Sequence, residues 1–174
     1  MHRLASGWFK GLTKIAIMNR VSGKSLFWIV WVVPTWILLG LSRAIILLVP
    51  FRRLSGCLGD KFDPWPQVPL ASPDQIRLAR EISKVVGSAS RFTPWESNCY
   101  TTAITARLLL GLYRIPYLMF LGLRRDDLSG KHKAHAWVVS GAVQVVGGRG
   151  FGNFAPVGCF GKYSDADADA EADH

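Results

Sequence analysis

The sequence predicts an α+β fold: a cysteine-bearing helix packed on a small antiparallel sheet, preceded by an apolar, N-terminal helical region. Three observations predict it. Apolar side chains recur at helical spacing over 37–48 and again over 76–86; a small-sided helical run begins at Cys99; and from Tyr117 the pattern changes to strands, two of them joined about Ser140-Gly141. At 174 residues and 49% hydrophobic content, there is material for one core. The chain divides into a basic, apolar helical region over 1–58, a proline-rich linker over 59–73, a catalytic-sized core over 74–163 and an acidic tail over 164–174.

The formal net charge is +9, yet Asp165, Asp167, Asp169, Glu171 and Asp173 all lie in the tail, so the body is more basic than that figure. A basic body suits an anionic partner or simply a soluble surface. Nucleic acid is not expected: the cations are scattered, and the aromatics sit in apolar runs instead of alternating with Lys and Arg. The three cysteines, Cys57, Cys99 and Cys159, show no CxxC spacing. They suggest neither a disulfide framework nor a zinc site, and no metal or other cofactor is called for. A reducing compartment leaves such a thiol free to react.

Residues 1–26 carry Arg3, Lys10, Lys14, Arg20 and Lys24 and no acid. The apolar run from Phe27 to Phe51 is long enough for a bilayer, but Arg43 near its middle would cost about 2.5–3.5 kcal/mol there. It also lacks the small-residue cleavage site of a signal peptide. The alternative is a helix opening near Pro34, with Ile37, Leu38, Leu41, Ile45 and Leu48 on one face and Ser42 and Arg43 on the other. That face docks on its own domain or on a partner; a membrane-spanning or membrane-surface role through the 27–51 segment stays open.

Residues 59–73 hold Pro64, Pro66 and Pro69, which argue against a regular element. Ser72 then reads as an N-cap with Pro73 at the first helical position. Ile76, Ala79, Ile82, Val85 and Val86 form the inward stripe. Residues 88–98 have loop composition and deliver the chain to Cys99, whose helix is closed by Gly111. Ile115-Pro116 turns the chain into an unbroken apolar strand, Tyr117 to Leu123. A charged loop, Arg124 to Lys133, precedes a hairpin of Ala134–Val139 and Ala142–Val146. By alternation His135, Trp137 and Val139 share one face, which Gln144 joins across the turn. A second hairpin-like piece, Phe151 to Phe160, closes the sheet. The tail has nothing apolar to bury.

Two residues carry candidate chemistry. Backbone N–H groups at a helix start favour an anion, and a thiol there can act as a nucleophile when a base is brought to it. Cys99 is so placed, and His135 is the base that a strand could bring. Each has a plain structural use as well, the first as a small buried side chain and the second as a strand histidine.

Several pieces occur together in order. They are Pro50-Phe51-Arg52-Arg53-Leu54, Cys99 heading a helix, Arg114-Ile115-Pro116 leading into Leu121-Gly122-Leu123-Arg124, Ala134-His135-Ala136-Trp137-Val138, and a closing Phe154-Ala155-Pro156-Val157. Over about Leu38 to Phe160 this resembles the leader peptidases of lasso-peptide biosynthesis, the carboxy-terminal B-protein family, which is similar in turn to transglutaminases and papain-like cysteine proteases. The resemblance implies a papain/transglutaminase-like core and a cytoplasmic thiol protease that removes the leader of a ribosomally made precursor. The core peptide would then pass to an ATP-using lasso cyclase. Cys99 would attack the scissile carbonyl, His135 would be base and then acid, and N–H groups at the helix start would receive the oxyanion.

The pattern departs from that family in two places. Members usually have an Asp about a dozen residues after the histidine to orient the ring; here the region reads Val145-Val146-Gly147-Gly148. Gln144, a backbone carbonyl, or a loop acid such as Asp126 or Asp127 is left for that task. Thr101-Thr102 also stands where a basic residue is expected. Nothing in the first thirty residues resembles a leader-recognition domain, so a separate recognition protein is expected. The helix over 37–48 is the candidate surface for that partner, for the leader, or for the inner face of the membrane. Two other readings stand beside the peptidase: a membrane-associated, non-catalytic binding module, and a transglutaminase-type acyltransferase.

Overall fold

Helix α1 (Leu26–Leu48) runs unbroken through Pro34, so it begins well before the start expected at that proline. The computed structural model describes residues 26–56, 58–62, 69–125, 131–148 and 150–162; the basic leader, Cys57, Asp126, Asp127 and the acidic tail lie outside them. A proline inside a helix costs about 3 kcal/mol. Here the turns before it are held by aromatic packing: Phe27 is buried, and the rings of Phe27 and Trp31 each lie 5.7 Å from that of Tyr113.

The docked side of α1 also differs from expectation. Ser42, placed by sequence on the polar, outward face, is buried and shares a 3.1 Å hydrogen bond with Thr105. Arg43 turns toward Glu96 at 4.0 Å, and the Trp36 indole N–H donates to the Phe92 carbonyl at 3.2 Å. Gly40 lets the helix approach the Trp95 ring, where a Cβ would stand only 3.1 Å away. The stripe of Ile37, Leu41, Ile45 and Leu48 faces outward instead. A helix apolar on every side has no hydrophobic contrast to orient it, so these few polar contacts decide which face docks.

After the short helix α2 (Phe51–Ser55), the linker expected over 59–73 contributes an edge strand, β1 (Asp60–Phe62). Helix α3 (Pro73–Ala89) starts where its cap predicts. The Ser72 hydroxyl accepts the Gln75 amide at 3.3 Å, and the Gln75 side chain accepts the Ser72 amide at 2.8 Å, a complete capping box. We expect Ser72→Ala to lower stability by about 1 kcal/mol, read as an earlier urea midpoint with unchanged slope. Ala79, Ile82, Val85 and Val86 face the core, as their spacing predicts.

Helix α4 (Cys99–Leu112) passes through Gly111 before the chain turns into the sheet. The five strands are antiparallel in the order β1-β5-β2-β3-β4, with β2 at Tyr117–Arg125, β3 at His132–Ser140, β4 at Val143–Val146 and β5 at Ala155–Lys162. Strands β2 and β3 run further than predicted, and Arg124 pairs with Lys133 inside the ladder. The hairpin turns at Gly141, φ +51°. β5 lies between β1 and β2 and does not close the far edge. Gly161 permits that placement, since a Cβ there would come within 2.5 Å of the Tyr117 carbonyl oxygen.

The two faces of the sheet bury different sets. Ala136, Val138, Met119 and Phe160 join the inward residues of α3 and α4 in the main core. Leu118, Phe120, Trp137 and Cys159 form a smaller cluster on the other face, with Phe62, Val139 and Phe154 against it. Phe27 of α1 and Leu58 belong to the main core too, so the amino-terminal helix and the catalytic-sized region share one interior.

Candidate active site

Cys99 is the first residue of α4, and the residue before it fixes that start. Asn98 is the N-cap: its side-chain oxygen accepts the Thr101 amide at 3.0 Å and the Thr101 hydroxyl at 2.9 Å. The Thr102 hydroxyl donates to the Asn98 and Cys99 carbonyls at 3.2 and 3.0 Å. Thr101-Thr102, which stands where a basic residue is expected, thus locks the cap. The Cys99 amide is among the first-turn N–H groups that a helix leaves without an intrahelical acceptor, at the positive end of the dipole. Its thiol is partly exposed and unbridged.

Cys159 is the contrast. It is 1% exposed in the smaller cluster, and burial pushes its thiol up to about 12. Brief iodoacetamide treatment of the native protein is expected to label Cys99 and spare Cys159 until the chain is unfolded, as peptide mapping would read.

His135 sits on β3 opposite Gly122 of β2, and the ring is held on three sides. Its Nε2 lies 2.8 Å from the Gly147 carbonyl oxygen. A carbonyl can only accept, so Nε2 carries the proton, and in the neutral tautomer this selects the lone pair is on Nδ1. The ring stacks with Trp137 at 6.0 Å and leans on Phe154 at 4.9 Å; the Arg124 guanidinium lies 5.3 Å from the Phe154 ring centre. Two glycines make this arrangement possible. Gly147 adopts φ +73°, and a Cβ there would overlap the Ala136 carbonyl oxygen and the Trp137 backbone. At Gly122 a Cβ would stand 2.8 Å from the Trp137 ring and 2.9 Å from Phe154.

Gln144, the side chain expected to orient the ring, pairs with Val139, toward the other end of β3, and is exposed. Its amide oxygen lies over Gly148. Gln144 therefore stands four residues from His135 along β3, and beyond it the register slips between Val138 and Val139 before the chain brings the Gly147 carbonyl to the histidine. Of the alternatives, the backbone carbonyl is the acceptor in the structure; Asp126 and Asp127 lie outside the described residues. Nothing in the sequence marks Gly147 except the glycine pair itself, whereas Asn98 ahead of a helical run is an ordinary cap signal.

Helix α4 packs on the face of β3 that carries Ala136 and Val138, whereas His135 lies with Trp137 and Phe154 on the other face. Helix α4 leads into β2 through Tyr113–Pro116. His135 lies on the Trp137 face, and among the described residues no hydrogen bond joins its ring to the Cys99 thiol.

Comparison with known families decides the class. The family model described as transglutaminase-like superfamily matches residues 45–158, which include both Cys99 and His135. The chain belongs to the transglutaminase-like superfamily. No curated protein and no solved structure matches it. Transglutaminase-like domains include cysteine proteases and acyltransferases, whose shared chemistry is attack by a thiolate on an acyl carbon. The mixed architecture seen here, a thiol-headed helix against an antiparallel sheet behind an apolar helix, is that of a transglutaminase-like domain with an added amino-terminal helix.

Proposed function

We propose that this protein is a cytoplasmic cysteine leader peptidase that cleaves the leader from a lasso-peptide precursor before an ATP-using cyclase closes the macrolactam. The observation that carries the reading is the His135–Gly147 bond, which fixes the ring through Nε2 and leaves Nδ1 without that acceptor, in the same family-matched segment in which Cys99 opens its helix.

In this reading Nδ1 takes the proton from the Cys99 Sγ, and the thiolate attacks the carbonyl of the last leader residue. This reading requires the thiol and the ring to meet in the complex with precursor, as catalytic contacts commonly tighten on substrate binding. The Cys99 amide donates to the oxyanion. As the C–N bond breaks, His135 returns the proton to the leaving amine, the new amino terminus of the core peptide. Water then attacks the thioester, giving up its proton to Nδ1 and releasing the leader as a free acid. The Gly147 carbonyl accepts from Nε2–H throughout and stabilises the imidazolium formed in each step. Leader recognition falls to a separate protein.

The test is co-expression of the chain with a candidate lasso precursor and its recognition protein, followed by mass spectrometry. Hydrolysis adds one water across a cleaved leader–core bond. Transfer to an amine instead releases no leader acid, and that product would assign the acyltransferase chemistry of the superfamily. An intact precursor would overturn the reading.

A further inference from the structure

The outward face of α1 is built the wrong way round for water. Every exposed position from Ile29 to Leu48 is apolar, while its two hydroxyl residues, Thr35 and Ser42, are buried against the domain. Ile29, Val33, Ile37, Leu41, Ile45 and Leu48 make one continuous outer row, with Ile37 at 52%, Leu41 at 54% and Leu48 at 82% exposure. Helical spacing puts these side chains in line over about 29 Å. The exposed Phe92 extends the patch, tied beside the helix by the Trp36 bond to its carbonyl. A contiguous apolar surface of this size marks a contact site.

By length and composition α1 could cross a bilayer. Its other side, however, is packed on α3 and α4 and hydrogen-bonded to Thr105, and a span would carry the charged outer face of α3 into lipid. The helix is therefore placed to lie along a surface. The charges name which one. Before Asp60 the chain has no acidic residue, yet Arg3, Lys10, Lys14, Arg20 and Lys24 precede the helix and the exposed Arg52 and Arg53 follow it. An apolar row flanked at both ends by cations complements the acyl and headgroup layers of an anionic membrane. We propose that α1 seats the protein in the plane of an anionic lipid surface, outer row down, with the domain held at the membrane by its own amino-terminal helix.

Flotation of the full chain with vesicles of phosphatidylcholine, with and without phosphatidylglycerol, tests this. Wild type is expected to float with the anionic vesicles, less with neutral ones, and less as salt rises. Ile37→Glu/Leu41→Glu, at positions that touch water, should keep the far-ultraviolet circular dichroism of the wild type and float at least about tenfold less. Failure of the wild type to float, or equal flotation of the folded variant, would overturn the proposal. So would a wild-type dimer in light scattering that the double variant converts to monomer, since a second copy would then cover the row. The assay reads no cleavage, so its outcome is separable from that of the peptidase reading.

Discussion

Replacing Cys99 with alanine is expected to abolish leader removal, lowering the rate at least about a thousandfold while the protein stays folded. The thiol is partly exposed, and the helix start does not depend on it: the cap is made by Asn98, Thr101 and Thr102. Removing one sulfur atom therefore leaves the local hydrogen bonds in place. The measurement is the mass of a co-expressed precursor, with circular dichroism and thermal melting as folding controls. Precursor that is still cleaved by Cys99→Ala would sink the nucleophile assignment. Loss of cleavage with an unchanged melt would separate a chemical role from a packing one.

The second large effect is expected at a residue with no side chain. Gly147→Ala forces a Cβ into the Ala136 carbonyl and the Trp137 backbone from a φ of +73°. The strand end must shift, and the carbonyl that holds His135 shifts with it. Left-handed strain alone costs about 1 kcal/mol or more, and loss of a partner that orients a working imidazole typically costs about 10–100-fold in activity. Gln144→Ala, by contrast, should cleave within about threefold of wild type, because that amide faces solvent opposite Val139. Measured side by side under single-turnover conditions, the two variants separate a backbone acceptor from a side-chain one. A Gln144 effect as large as that of Gly147 would return the orienting role to the glutamine.

The difference between those residues shows what the sequence carried and where it was silent. Side chains advertise themselves: Ser72-Pro73 announces α3, Asn98 announces α4, and Ser140-Gly141 announces the hairpin, because each uses a residue type to satisfy a backbone group. The ring acceptor of His135 is a peptide oxygen, which every residue possesses, so no residue type could signal it. Alternation gives the face of Gln144, which pairs with Val139, but not its level along the strand, four residues from His135. The docked face of α1 was illegible for a related reason, since a helix apolar all round gives periodicity nothing to grip. β1 hides in a proline-rich stretch because its pairing with β5, not its own composition, holds it. Strand order itself is a property of distant pairings.

That order bears on how the chain is made. β1 is synthesised early, but its neighbour in the sheet is β5, which comes last, and the same late strand also fills the flank of β2. Until Lys162 has left the ribosome, β2 has an open hydrogen-bonding edge made of Tyr117 to Leu123, an almost wholly apolar run. The hairpin of β2, β3 and β4 can assemble locally; completion waits for a long-range closure, the slow class of folding event. Nascent chains stalled before β5 would thus be the species most in need of a chaperone, and the most ready to pair with one another.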